Sequence, residues 1–498
     1  MRKVVILGGG TAGWMAANLM ATLLPKEAIQ VTLIESPDIG IIGVGEGSTP
    51  TLKRFFTLCD IAESEWMPAC NATYKVNIRF AGWSPQSGIE SYSHPFISQV
   101  DTFTERAFEV NCHTRRLGLN THTKPEDFLL NGVLAQQQKG PITPESFPFR
   151  MEYGYHFDSY LLGAFLRDKA KSKGIGHVEG EVVDVQRHNN GDIATLKLKG
   201  GQTISADFFI DCTGFAAVLI QKTLNVPFQS FANNLFNNAA VVIPTSAQAI
   251  PAVETRATAL SHGWYWQIPL QNRTGNGYVY SDLFVTADDA EKELRTTLGV
   301  ADDVEARHLK MRVGQLQQHW AHNCLGLGLS QGFIEPLEAT ALHLVQVCIE
   351  MFIDKWQTGN FTAQHRDVFN QQMSKRFEHV RDYIVAHYKL NTRNDSEYWR
   401  ANRENNQFSD SLGHILNAWF TKQDLRQEIE RQQLESHFGS VSWHCLLSGY
   451  GAYPKLAAEQ PGKGDLYHEQ GIETFLQGCA LNFQPHAQNL QQLVHRIM

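Results

Sequence analysis

The chain has 498 residues, 43% hydrophobic and 19% charged, with a formal net charge of −8. That length predicts two or three packed units of ordinary globular composition. It shows no concentrated basic face of the kind nucleic acid requires. Spanning a bilayer takes about 20 apolar residues, and the most apolar stretch, 341–353, is broken by His343, Gln346 and Glu350. The N-terminal apolar run, Val4 to Leu7, stops at Gly8, short of the roughly 7–15 residues of a signal segment. A cytoplasmic protein is expected. The eight cysteines are scattered, without a Cys-x-x-Cys pair or a His-Glu-x-x-His motif, so neither disulfides nor a metal site is predicted.

In chain order, residues 4–7 read as a buried strand and 11–24 as a helix with Met15, Leu19, Met20 and Leu23 at helical spacing. Residues 31–34 form the next strand, ending at Glu35. Residues 74–80 alternate: Tyr74, Val76, Ile78 and Phe80 take one face, and Lys75, Asn77 and Arg79 the other. This predicts a half-exposed strand with Lys75 on its polar side. A helix is expected over 156–171, then short strands with an Asn-Asn-Gly turn at 189–191. Residues 206–210 form a further buried strand, 230–320 are mostly β, and from Leu337 onward the pattern is helical. The predicted architecture is α/β, with a Rossmann-like dinucleotide fold over 1–345, a β-rich insertion at about 225–310 and a mainly helical region over 346–498.

Gly8, Gly10 and Gly13 fit G-x-G-x-x-G between the first strand and the first helix. Gly8 makes the turn, Gly10 lets backbone approach a pyrophosphate, and Gly13 lets helix and strand pack closely. Thr11 and Ala12 open the helix, and Glu35 is placed to bind ribose hydroxyls. The segment Ala206-Asp207-x-x-Ile210-Asp211-x-Thr213-Gly214 resembles the second nucleotide-contacting strand of large FAD enzymes. FAD is therefore favoured over NAD.

Four segments resemble the flavin-dependent tryptophan halogenases. Residues 8–14 read GGGTAGW, 42–50 IGVGEGSTP, 263–269 GWYWQIP and 332–340 GFIEPLEAT. The third matches the family's G-W-x-W-x-I-P in full. Gly47 and Ser48 depart from the usual pair in the second. Weaker matches run through Tyr155-His156-Phe157-Asp158, Arg312-Val313-Gly314 and 381–388, so the similarity covers about residues 1–400.

The resemblance implies a two-dinucleotide-binding-domain flavoprotein fold and a flavin reductase that supplies FADH2. Oxygen then gives a flavin hydroperoxide. A chloride or bromide ion turns this into hypohalous acid, which is relayed to a lysine and delivered to an electron-rich ring. Lys75 aligns with that lysine, and Glu338 with a glutamate that assists by accepting the ring proton. Glu335 and Glu338 also read as acids in a helix first turn. Gly45, Asp211, Gly214 and Gly328 join the expected cofactor contacts. Trp264 and Trp266 are expected to wall the flavin from the substrate. Thr340 and Ala341 align with the backbone amides that hold halide, and Ala341 would be strained if its position needs positive φ.

His94 and Phe96 fit the family's H-x-F, which stacks on the substrate ring, and Phe438 stands where a stacking tryptophan is expected. The residues that grip an amino acid's ammonium and carboxylate have no equivalents; residues 425–430 read as a polar helix. The expected substrate is an indole-like or other electron-rich aromatic, with free tryptophan one candidate. A monomer or homodimer is expected. Two other functions fit the flavin half: an aromatic hydroxylase, which needs no halide, and an FAD-binding paralogue without halogenating activity.

Overall fold

The computed structural model describes residues 1–37, 45–435 and 438–495. Residues 42–44 of the second motif lie outside these. The chain packs as two units of mixed α/β structure, each assembled from three stretches.

The first unit comprises Met1–Ala72, Phe157–Phe231 and Arg312–Glu378. Its main sheet runs in the order Trp320–Ala321, Cys324–Gly326, Phe208–Asp211, Arg2–Leu7, Ile29–Glu35, Gly176–Glu179. The last five are parallel, with Leu7 opposite both Ile34 and Asp211. Strands covered on both faces read as continuous apolar runs, which is why Val4 to Leu7 shows no alternation; all four are buried. The helix Thr11–Leu23 packs against Ser159–Ser172 and Ala341–Thr358. Asn18 Nδ2 ties it to the Leu166 carbonyl at 2.8 Å. The hairpin at 189–191 forms as expected, between Val182–Arg187 and Ile193–Leu198.

The second unit comprises Thr73–His156, Ala232–Met311 and His379–Met498. Its seven-stranded sheet runs Arg307–Lys310, Ala239–Ser246, Arg273–Tyr280, Gly263–Pro269, Glu254–Leu260, Asn77–Ser84, Ile89–Pro95. The helices from Glu397 onward complete it; every residue of Ser440–Gly449 is buried.

Several expectations are corrected. A boundary at 345 falls inside Ala341–Thr358, which packs with the first helix of the first unit. The β-rich region is not confined to 225–310, because strands Asn77–Ser84 and Ile89–Pro95 complete its sheet. Residues 154–158 are a strand, and the helix begins only at Ser159, capped by the Asp158 carboxylate accepting from the amides of Tyr160 and Leu161. Residues 74–80 are not half-exposed. Two strands, Thr73–Lys75 and Asn77–Ser84, break at Val76, and Lys75 and Asn77 are fully buried. The polar face is covered by charge: Arg79 Nε donates to Glu254 at 2.7 Å and Asn77 Nδ2 at 2.6 Å.

Burial holds His319 down to about 3 and His343, His444 and His486 down to about 4. It also holds His156 well below its usual value. These imidazoles fold neutral, so their stabilisation is complete above about pH 6.5 and is lost as pH falls toward 4. Burial pushes Glu46 and Asp101 up to about 7, and these two carboxyls act in the opposite sense.

Burial also raises the Glu105, Glu126 and Asp382 carboxyls and lowers His113, so these acids offset most of the histidine contribution. Thermal melts between pH 6.5 and 4.5 should show stability falling gently, by about 1 kcal/mol per pH unit. A flat profile would contradict the neutral burial of these rings.

Candidate active site

The glycine turn is built by close approach. A Cβ on Gly8, where φ is +117°, would stand 2.2 Å from the Cys212 carbonyl oxygen. One on Gly13 would stand 2.0 Å from the Gly8 carbonyl oxygen, whereas one on Gly10 would meet nothing within 4 Å. The outer glycines therefore serve chain packing, and the middle one faces open space. The helix opening at Thr11 has no side-chain cap, so its first amides are available to an anion. The Thr11 hydroxyl donates to the Ser159 carbonyl. Gly328 closes on Ala12, leaving only 2.9 Å between a Cβ there and the Ala12 methyl. Gly214 borders open space, and Gly45 is buried in the strand Gly45–Gly47. Glu35 ends its strand with Oε1 2.8 Å from His177 Nε2. These residues fit a dinucleotide.

Asp211 is held by its own chain. Its carboxylate accepts from the Thr213 amide and hydroxyl, the amides of Leu219 and Ile220, and the Ser330 hydroxyl, at 2.6–3.1 Å. These bonds build the loops around Gly214 and Gly328.

In the same unit, Glu335 and Glu338 are buried, and they stand at the N-cap and in the first turn of a short 3-10 helix, ahead of the longer helix. A short turn, Pro336–Glu338, precedes Ala339, and the helix starts at Ala341. The strain foreseen at Ala341 falls on Ala339 instead, which has φ +55°. Thr340 is 2% exposed, its buried Oγ1 has no partner among the described residues, and the helix end lacks a side-chain cap. A buried hydroxyl beside uncapped amides suits a small anion such as halide.

The second unit gathers Lys75, His94, Phe96 and Phe438. Lys75 is 0% exposed, and its Nζ lies 5.4 Å from the centre of the Phe96 ring, a cation–π contact. Pairing of Ile89–Pro95 with Asn77–Ser84 sets His94 opposite Ile78 and brings the Phe96 amide to the Val76 carbonyl at 3.0 Å. His94 Nε2 lies 3.0 Å from Ser442 Oγ, and its ring centre is 6.2 Å from Phe438. Phe438 stacks on Tyr383 at 3.7 Å. Tyr383 and Trp443, which packs edge-on against it at 4.9 Å, extend this aromatic cluster and were not foreseen. The polar helix expected at 425–430 forms as Leu425–Arg431, and its Arg426 donates twice to the buried Glu109, at 3.0 and 3.1 Å. Burial raises the Glu109 carboxyl, but His444, Arg426 and Ser440 together hold it below its usual value.

Trp264 and Trp266 alternate along Gly263–Pro269 and so share a face, with ring centres 6.1 Å apart. Small neighbours make room for them: Ala259 and Ala257 lie opposite on one side, and Gly277 faces Trp266 on the other. A Cβ on Gly277 would stand 2.0 Å from the Trp266 ring.

The family model for tryptophan halogenase matches residues 3–462. Tryptophan 6-halogenase SttH of Streptomyces toxytricini is 38% identical, covering 93% of each chain. Tryptophan 7-halogenase RebH of Lentzea aerocolonigenes is 31% identical, covering 91% of this chain and 90% of its own. Among solved structures, a tryptophan halogenase from Shewanella frigidimarina superposes with a TM-score of 0.87 at 30% identity, covering 99% of this chain and 98% of that one. A chain-length match to halogenases, a dinucleotide turn and a lysine buried beside aromatic rings define one class. This chain belongs to the tryptophan halogenase family and is a flavin-dependent halogenase.

Replacing Ala339 by glycine should relieve its left-handed backbone and raise stability by about 0.5–1 kcal/mol. A denaturant melt checks this; a lower midpoint for Ala339→Gly would show that the alanine is not strained.

Proposed function

We propose that this enzyme halogenates an indole-like, electron-rich aromatic ring, with Lys75 as the amine that presents the halogen. The observation that carries this reading is Lys75 itself, buried over Phe96 in the unit that also holds His94 and Phe438. When bound, reduced FAD supplies hypohalous acid from oxygen and halide, and a separate flavin reductase renews it. Gly8, Gly10, Thr11, Ala12, Gly13, Glu35, Gly45, Gly214 and Gly328 are the residues proposed to hold the dinucleotide, in a fold of the two-dinucleotide-binding-domain type. Thr340 and the Ala341 amide are proposed to hold chloride or bromide.

The chemistry then falls to side chains. Lys75 Nζ polarises the hypohalous acid and fixes its distance from one ring carbon. A buried ammonium does this better than an exposed one, because less water screens it. Glu338 is proposed to accept the proton as the ring regains aromaticity. Trp264 and Trp266 are proposed to keep the flavin and the ring apart, so that oxygen is not inserted directly. His94, Phe96 and Phe438 supply ring faces for stacking. Tryptophan is the substrate named for the relatives. In the stretch 425–430, where the family's amino-acid grip is expected, Arg426 pairs with Glu109. That favours a ring recognised by its aromatic face over one recognised by its charged end.

Lys75→Ala should lower brominated product from indole at least about 100-fold, while FAD binding and flavin oxidation stay at parental levels. Product at the parental rate would remove Lys75 from this role.

A further inference from the structure

The family match leaves the residues around Lys75 without a role. Thr73 and Lys75 lie on the same face of the strand Thr73–Lys75, two residues apart. Thr73 is fully buried, and its hydroxyl lies 2.7 Å from the Pro269 carbonyl. A carbonyl only accepts, so the single Thr73 proton goes there. Toward His156 Nδ1, at 3.1 Å, Thr73 must therefore accept, and Nδ1 carries the hydrogen. Thr255 Oγ1 lies 2.8 Å from His156 Nε2. Burial first, and then the charge on Lys75, keep this imidazole neutral, so Nε2 accepts from Thr255. Every hydrogen in this chain then has one direction.

The next residue is held as firmly. The Tyr74 amide donates to His486 Nε2 at 3.3 Å, and His486 Nδ1 donates to the Pro251 carbonyl at 2.8 Å. The Val76 amide donates to the Val253 carbonyl at 2.9 Å. Lys75 itself pairs with Gly154, as Thr73 does with His156. The segment bearing the lysine is thus fixed on both sides of it. Pro269 is the last residue of the strand that carries Trp264 and Trp266, so the Thr73 bond ties the lysine strand to the tryptophan strand.

We propose that Thr73 and His156 are positioning residues that set the reach of Lys75 and thereby choose which ring carbon is halogenated. The proposal rests on Lys75 being the halogenating amine. Adjacent carbons of one ring are a single bond apart, so a displacement far too small to unfold the unit changes which of them lies at reacting distance. Misplacement by about 1 Å is enough to cost about 100-fold in rate. His156 lies in the weakly matching Tyr155-His156-Phe157-Asp158 segment, and no spacing rule pairs it with Thr73.

The test measures the isomer ratio of brominated indole, using purified enzyme with FAD, a flavin reductase and bromide. Thr73→Val removes the hydroxyl at nearly constant volume. It should lower kcat by about 10-fold, leave KM within about 2-fold and broaden the isomer ratio; Thr73→Ser should restore both. His156→Leu should broaden the ratio in the same way. His156→Asn should keep the parental ratio, because its amide nitrogen stands near the place of Nδ1 and can still donate to Thr73. The His156 pair carries the test if Thr73→Val does not fold. A parental isomer ratio in folded Thr73→Val or His156→Leu overturns the proposal, even where activity falls, because a merely structural role lowers yield without moving the ratio. If Lys75→Ala keeps full activity, the lysine reading itself fails, an outcome distinct from an unmoved ratio.

Discussion

Taking an ammonium group out of water costs several kcal/mol unless charge and hydrogen bonds are arranged to meet it, and Lys75 is fully buried. Much of the second unit is understandable as the answer to that requirement. The lysine is carried on a short strand whose own backbone is satisfied by Gly154, and whose neighbours are fixed by His156, His486, Pro269 and Val253. An aromatic face, Phe96, lies within cation–π range. Two buried imidazoles nearby remain neutral, which avoids adding like charge to a site that already holds one. A lysine carried this way has little freedom, the restriction that the role proposed for it requires.

The first unit meets a different constraint, the close approach of its own chain at the glycine turn. Gly8 and Gly13 let the chain fold on itself, Gly10 leaves the approach open, and the helix beginning at Thr11 presents uncapped amides. The helix start at Thr340 likewise lacks a side-chain cap and has a buried hydroxyl beside it. Asp211 supports the first arrangement indirectly, by spending all its acceptor capacity on the loops that shape it.

The glycine turn was legible in the sequence because its physics is local: strand, glycines and helix are contiguous. The tryptophan strand was legible because its motif is long and specific. What was not legible depends on partners distant in the chain. Residues 74–80 alternate like a half-exposed strand, and only Glu254 and Glu126, brought in by other strands and helices, show why Asn77 and Arg79 face inward. His156 was expected in a helix, yet it stands in a strand paired with Thr73. The five hydrogen bonds that Asp211 accepts were not legible because their donors come from residues 213 to 330. Ala339 took the strain foreseen at Ala341 because the turn at Pro336–Glu338 ends two residues before the helix begins.

Halogen transfer and direct oxygenation share a flavin and an aromatic ring, and they part at the halide. The most direct measurement is therefore the product mass spectrum from indole, with FAD and a flavin reductase, in the presence and absence of bromide. Halogenation predicts the paired isotope peaks of one bromine when bromide is present and no modified ring when it is absent. A product heavier by one oxygen, formed at the same rate without halide, would contradict the account.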